Sequence, residues 1–281
     1  MMLHLTHLKH VEPAAALALV AEIFRVRHLR SSQAITGNYP MDSTVDRLLD
    51  DMGFYKQLNV RKRPDLQKKN DDPSRPIFIR FLTSNKVESV LADGFVSVVE
   101  QHILSLNKVA RGRLVAAIIE AMNNTLDHAH PTRVLNETMP RRWWLNAWVN
   151  VQDRETSVLL YDQGVGIPRT LEPTLYEVVR AAVSGIARLR LSSKPSDGEM
   201  IAAATELHRT GTGQGGRGKG FRNMKQFVDV CTDGELRVLS NRGSYSYMRT
   251  NETCGNEDTS LGGTLVEWRF RHDGTVELYD E

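Results

Sequence analysis

Six glycines fall within the eleven residues from Gly211 to Phe221 (GTGQGGRGKGF). Neither a helix interior nor a strand interior suits that density, because each glycine costs about 0.5–1 kcal/mol relative to alanine. The run leads straight into an amphipathic segment, Phe221 to Val228, that reads as a helix. Free backbone N–H groups at a helix start, beside glycines that permit close approach, make an anion site. Arg217 and Lys219 add positive charge there. A flexible linker is the competing reading, but linkers seldom run into a well-patterned helix. No GxxxxGK[ST] occurs, so this is not a P-loop. The glycines also come late and lack a surrounding βαβ pattern, which argues against a dinucleotide fingerprint.

Two further stretches carry candidate chemistry. In LVAAIIEAMNNTLDHA, Leu114, Ala117, Ile118 and Ala121 share one helical face, while Glu120, Asn123, Asn124 and Asp127 share another. A solvated polar stripe would explain the second face. The adjacent asparagines are nonetheless poor helix-interior residues, since short amides compete for the backbone. A carboxylate one turn before an amide can divide a task, the amide oxygen ligating a hard cation and the carboxylate taking a proton. Farther on, the apolar run Ser157 to Tyr161 delivers Asp162 to a strand end, followed by Gly164 and Gly166 and then Pro168. A carboxylate held there can accept a hydrogen bond from an exocyclic amine such as that of adenine. A simple strand-ending turn would look the same.

The remaining chain supplies a helical layer and a sheet. Ala14 to Leu29 and Ser43 to Met52 read as helices, with Ser43 as N-cap of the second. Arg25, Arg27 and Arg30 suit a solvated helix C-terminus. Lys56 to Arg75 is polar, with Pro64 and Pro73, and reads as an exposed loop or domain boundary. Pro76 to Leu82 reads as a strand, Phe95 to Val109 and Ala110 to Ala129 as helices. Trp143 to Val151 and Thr156 to Tyr161 form a hairpin-like pair, Leu171 to Leu191 a helix, and Leu236 to Ser240 and Thr264 to Arg271 closing strands. The expected class is α/β in the loose sense, an α+β sandwich with a helical layer on a mixed, mostly antiparallel sheet and a smaller N-terminal α/β domain. The expected division is 1–75 for that regulatory or interaction domain, 76–106 for a connecting strand and helix, and 107–281 for a nucleotide-binding domain.

Composition narrows the class. A net charge of +2 gives no bulk argument for nucleic acid, and the basic residues Arg61, Lys62, Arg63, Lys68 and Lys69 suit a solvated loop better. Cys231 and Cys254 are the two cysteines and have no zinc-type spacing, which suits a reducing cytoplasm. Met1 to His10 has no apolar core of the signal-peptide kind, and Pro13 to Phe24 is too short to span a bilayer.

Taken in order, E-x-x-x-N, D-x-G-x-G, a glycine run opening a helix, and Gly262-Gly263-Thr264 opening a strand resemble the GHKL ATPase superfamily over roughly Asn107 to Phe270. That group includes gyrase-type topoisomerases, heat-shock chaperones, mismatch-repair ATPases, histidine kinases and anti-sigma-factor serine kinases. EAMNNTLDHA and GKGFRNMKQFVDV look most like the anti-sigma-factor kinase branch. The resemblance implies ATP and Mg²⁺ as cofactors, with Glu120 as general base and Asn124 as metal ligand. Asp162 would hold the adenine amino group beside Thr264, and Gly164 and Gly166 would line the base pocket. Gly216, Gly218 and Gly220 would meet the phosphates with Lys219. Asp127, Ile167, Arg217 and Phe221 complete the implied cofactor-binding set, and Arg169 to Gly215 would be the ATP lid.

The same likeness implies a cytoplasmic regulatory ATPase coupled to its N-terminal domain or to a protein partner, with a homodimer left open. The alternative is a serine protein kinase acting on a partner. Within these 281 residues no transducer-like segment follows the last strand, so slow hydrolysis is expected unless Lys219, a second subunit or a partner completes the site. The first hundred residues are similar to a STAS-like module through the helix ending at Gly53-Phe54 and the one before it.

Overall fold

The structure is a computed structural model that describes residues 2–29, 35–61, 76–103, 106–127, 129, 141–171, 195–206 and 219–271. Its frame is a seven-stranded sheet in the order β3-β4-β5-β9-β6-β7-β8, every neighbouring pair antiparallel. The strands are β3 (Ile77–Ser84), β4 (Trp143–Asn150), β5 (Glu155–Asp162), β6 (Gly234–Ser240), β7 (Gly243–Met248), β8 (Asn251–Asn256) and β9 (Thr264–Arg271). A separate parallel pairing joins β1 (Met2–Leu3) to β2 (Thr36–Gly37). The expected α+β architecture is the observed one.

Both faces of the central strands are covered. Along β5, Val158 and Leu160 enter one core, while Leu159 and Tyr161 enter the other. On β9, Val266, Trp268 and Phe270 join the first and Leu265 the second. Strand side chains alternate between faces, so a strand buried on both must read as a continuous apolar run. The first core is closed by α4 (Ser89–Glu100), α5 (Lys108–Asp127), α7 (Asp197–Glu206) and α8 (Lys219–Asp229). The second is closed by α1 (Pro13–Leu29), α2 (Ser43–Asp51) and α3 (Phe54–Gln57). A single turn, α6 (Ile167–Thr170), follows β5. Among the described residues, no helix is long and apolar enough to cross a membrane.

The N-terminal helices share a core with the sheet. Leu17, Val20, Ala21 and Leu49 cluster with Phe81, Trp144, Leu159 and Leu265. The register of β3 against β4 shifts between Ile79 and Leu82, and at that irregularity Phe81 N–H donates to Met52 O at 3.1 Å. The helices before residue 61 and the strands after residue 76 thus contribute side chains to one apolar cluster. The strand and helix expected over 76–106 are β3, an edge of the sheet, and α4, part of the helical layer.

Several local expectations are corrected. The N-cap of α2 is Asp42, whose carboxylate accepts from the Thr44 and Val45 N–H groups, and not Ser43. The helix expected from Phe95 to Val109 is α4, which starts six residues earlier at Ser89 and ends at Glu100. Asn107 Oδ1 accepts from Ala110 N–H at 2.8 Å and so restarts the chain as α5. The hairpin β7–β8 and helix α7 were not expected. β8 is polar and alternates weakly because it is an exposed sheet edge. The helix expected from Leu171 to Leu191 lies outside the described residues from 172 on.

Candidate functional site

The polar stripe of α5 survives in the fold, and its environment is specific. Glu120 and Asn124 are half-buried while Asp127 is exposed in the last turn. The opposite stripe, Leu114, Ala117, Ile118 and Ala121, is buried in the core. Helix α8 packs alongside α5. Asn223 Nδ2 on α8 donates to Glu120 Oε1 at 2.8 Å. At the start of α8, a Cβ added to Gly220 would lie 3.2 Å from Glu120 Oε2 and 3.4 Å from both side-chain amide atoms of Asn124. The glycine is what lets the first turn of α8 come that close to an acid and an amide.

Asp162 ends β5 and shares the face of Val158 and Leu160, hence the side of α5. Its Oδ1 accepts the Gly164 N–H at 2.7 Å. Burial pushes its carboxyl up to about 7, partly offset by the Gly164 and Thr264 backbone N–H groups. A Cβ on Gly164 would stand 2.3 Å from Ala129 O, and Val165 N–H donates to that oxygen at 2.8 Å. Ala129 N–H in turn donates to Asn124 O at 3.1 Å. The aspartate turn and the end of α5 are thus tied through one residue.

The other flank of the turn is equally determined. Gly166 adopts φ +85° and leaves room for the Asn241 side chain, whose Nδ2 donates to Val165 O at 2.9 Å. Ile167 N–H donates to Ser240 Oγ at 2.8 Å, and Ser240 Oγ lies 2.9 Å from Thr264 Oγ1. Gly263 has φ +147°, and a Cβ there would fall 2.0 Å from Asp162 O. Gly263 is accordingly pressed onto the Asp162 backbone.

The fold therefore gathers the anticipated residues into two groups, Glu120, Asn124 and Gly220 in one, and Asp162, Gly164, Gly166, Ile167 and Thr264 in the other, linked through Ala129. The side chains of Phe221 and Ile167 pack on the core beneath. Lys219 opens α8 with its backbone. Gly216, Arg217 and Gly218 lie outside the described residues. No family model matches the chain, and no curated protein matches it.

Sequence reasoning passed over three residues that hold the site. Asn223 was readable in principle, as an asparagine inside an amphipathic helix invites the argument applied to Asn124. Ser240 and Asn241 carried no such signal, because their partners are remote in the chain. The cavity of about 560 Å³ in this neighbourhood lies elsewhere, behind the aspartate turn toward α1, with Tyr161 and Gln163 in its wall. Tyr161 belongs to the second core, so that cavity opens on the other face of the sheet from Glu120 and Asn124.

Among the described residues, no group of three or more His, Cys, Asp or Glu could hold a metal ion.

Proposed function

We propose that this protein is a Mg²⁺–ATP-binding regulatory ATPase of the GHKL type. The observation that carries the reading is the approach of Gly220 to Glu120 and Asn124, which sets a helix N-terminus, a carboxylate and an amide oxygen around one point. Such a terminus favours phosphate, the amide suits Mg²⁺ ligation, and the carboxylate can accept a proton from an attacking hydroxyl. Bound Mg²⁺ would neutralise charge developing on the transferred phosphoryl group.

Each residue then has a task. Asn223 holds the Glu120 carboxylate toward α8. Asp162, anchored by Gly164 N–H, offers an acceptor for an exocyclic amine, and such an added donor lowers its raised pKa. Ser240 and Thr264 hold the strand ends that frame it.

Calorimetry with excess Mg²⁺ tests the proposal. The expected result is one-to-one ATP binding that Asp162→Ala abolishes, with Glu120→Gln keeping binding and losing turnover. No uptake of adenine nucleotide by the wild-type chain would sink it. If labelled ATP instead marks a discrete protein in a lysate through the wild type and not through Glu120→Gln, the phosphoryl acceptor is a partner side chain and not water.

A further inference from the structure

The cavity behind the aspartate turn has a definite chemical character. At about 560 Å³ it falls within the size range of small-molecule sites, roughly 300–1,000 Å³. Helix α1 supplies Ala18, Glu22 and Arg25, spaced to lie on one helical face. Opposite stand Tyr161 and Leu261, with Arg169 from α6 and Gly164 and Val165 from the turn.

The polar groups are committed, with one exception. Arg25 Nε donates to Glu22 Oε2 at 2.7 Å, and the same guanidinium contacts Oε1. Glu22 is further held by Gln163 Nε2 at 3.1 Å. Tyr161 Oη donates to Gly262 O at 3.1 Å, and burial raises its phenol above the usual range. Arg169 is solvent-exposed, has no hydrogen-bond or ion-pair partner among the described residues, and lines the same space. Among the described lining residues, two guanidiniums stand against one carboxylate.

We infer that this cavity is a second ligand site, for a small molecule joining one anionic group to an apolar body. The anion pairs with Arg169, which leaves the Glu22–Arg25 pair intact, and the body rests on Leu19, Tyr161 and Leu261. The ligand would touch the back of the turn whose other side holds Asp162, because Gly164 and Val165 form part of the wall. The inference does not depend on nucleotide binding.

The full-length chain can be titrated with 8-anilinonaphthalene-1-sulfonate, an anion on an aromatic body, and with its uncharged counterpart N-phenyl-1-naphthylamine. The expected result is one saturable sulfonate site per chain, weakened roughly tenfold by Arg169→Ala, which corresponds to about 1.4 kcal/mol. The uncharged probe should be unaffected by that change. Ala18→Trp should exclude both probes. Ser260→Trp, at the exposed rim, serves where circular dichroism shows Ala18→Trp unfolded. Unsaturable binding, or saturable binding that survives both the blocking variant and Arg169→Ala, overturns the site. Exclusion by the blocking variant with sulfonate affinity unchanged in Arg169→Ala overturns the assignment of the anion to Arg169.

Discussion

The two faces of the sheet are both buried, but they are closed by different means. Toward α1–α3 the helix-to-sheet contacts are mainly apolar, with Leu17 and Ala21 fully buried and Phe24 edge-on to Trp144 at 5.2 Å, and the polar groups are the buried Asp46–Tyr55 pair and the Glu22, Arg25 and Gln163 cluster at the cavity. Toward α5, α7 and α8 the apolar core is ringed by buried or half-buried polar groups. Lys225 Nζ reaches Glu206 at 3.1 Å and Glu252 at 3.3 Å and lies 4.8 Å from the Tyr247 ring centre. Glu120, Asn124 and Asp162 also face this side. On the first face the charged groups gather at the cavity, and on the second they surround the α5–α8 pair and the Lys225 cluster. Polar groups on a packed helix pair are held in position by the core beneath them.

This contrast makes graded predictions. The largest effect is expected from Lys225→Met, which leaves the Glu206 and Glu252 carboxylates facing each other without their buried cation. Urea unfolding should show a loss of about 3–5 kcal/mol. On the apolar face, Leu17→Ala should cost about 2–5 kcal/mol by the same measurement, from lost burial and the cavity left behind. If it instead altered nucleotide turnover at unchanged stability, the division between the faces would fail.

Asp162 should leave a pH signature of intermediate size. Its folded pKa is raised from 3.8 to about 7, so between those values the folded state keeps a proton that the unfolded chain releases. Stability contributed by this group is full below pH 3.8 and is lost as pH rises toward about 7. Asp162→Asn should remove that slope from a plot of thermal midpoint against pH. The smallest stability effect is expected for Glu120→Gln, within about 0.5 kcal/mol, because the side chain is half-buried and the new amide oxygen can still accept from Asn223. A large loss of stability there would assign Glu120 a structural role and blur the contrast.

A glycine pair separates local conformation from close approach. Gly263→Ala combines φ +147° with a 2.0 Å approach to Asp162 O, while Gly262→Ala has φ +71° and open space. The first should destabilise by about 3 kcal/mol or more and the second by about 1 kcal/mol.

How much of this was readable beforehand follows from the range of each interaction. The apolar runs of β4, β5 and β9, the helical stripes of α1 and α5, and the glycines that turn the chain after Asp162 are local patterns, and they specify element type within a residue or a few. The candidate residues were likewise visible as residue types at fixed spacing. Weakly patterned elements escaped, such as the polar edge strand β8, and so did helix starts set by a single side chain, such as Asp42 and Asn107.

The amino-acid order on its own settled which segments are helix or strand and which of their side chains are polar enough to work. Packing alone determined that the N-terminal helices cover the far face of the sheet, that Gly220 comes to rest beside Glu120 and Asn124, and that Ala129 joins α5 to the aspartate turn. Those contacts unite residues tens of positions apart. Their energy comes from surface removed from water in three dimensions, which no periodicity along a chain can encode.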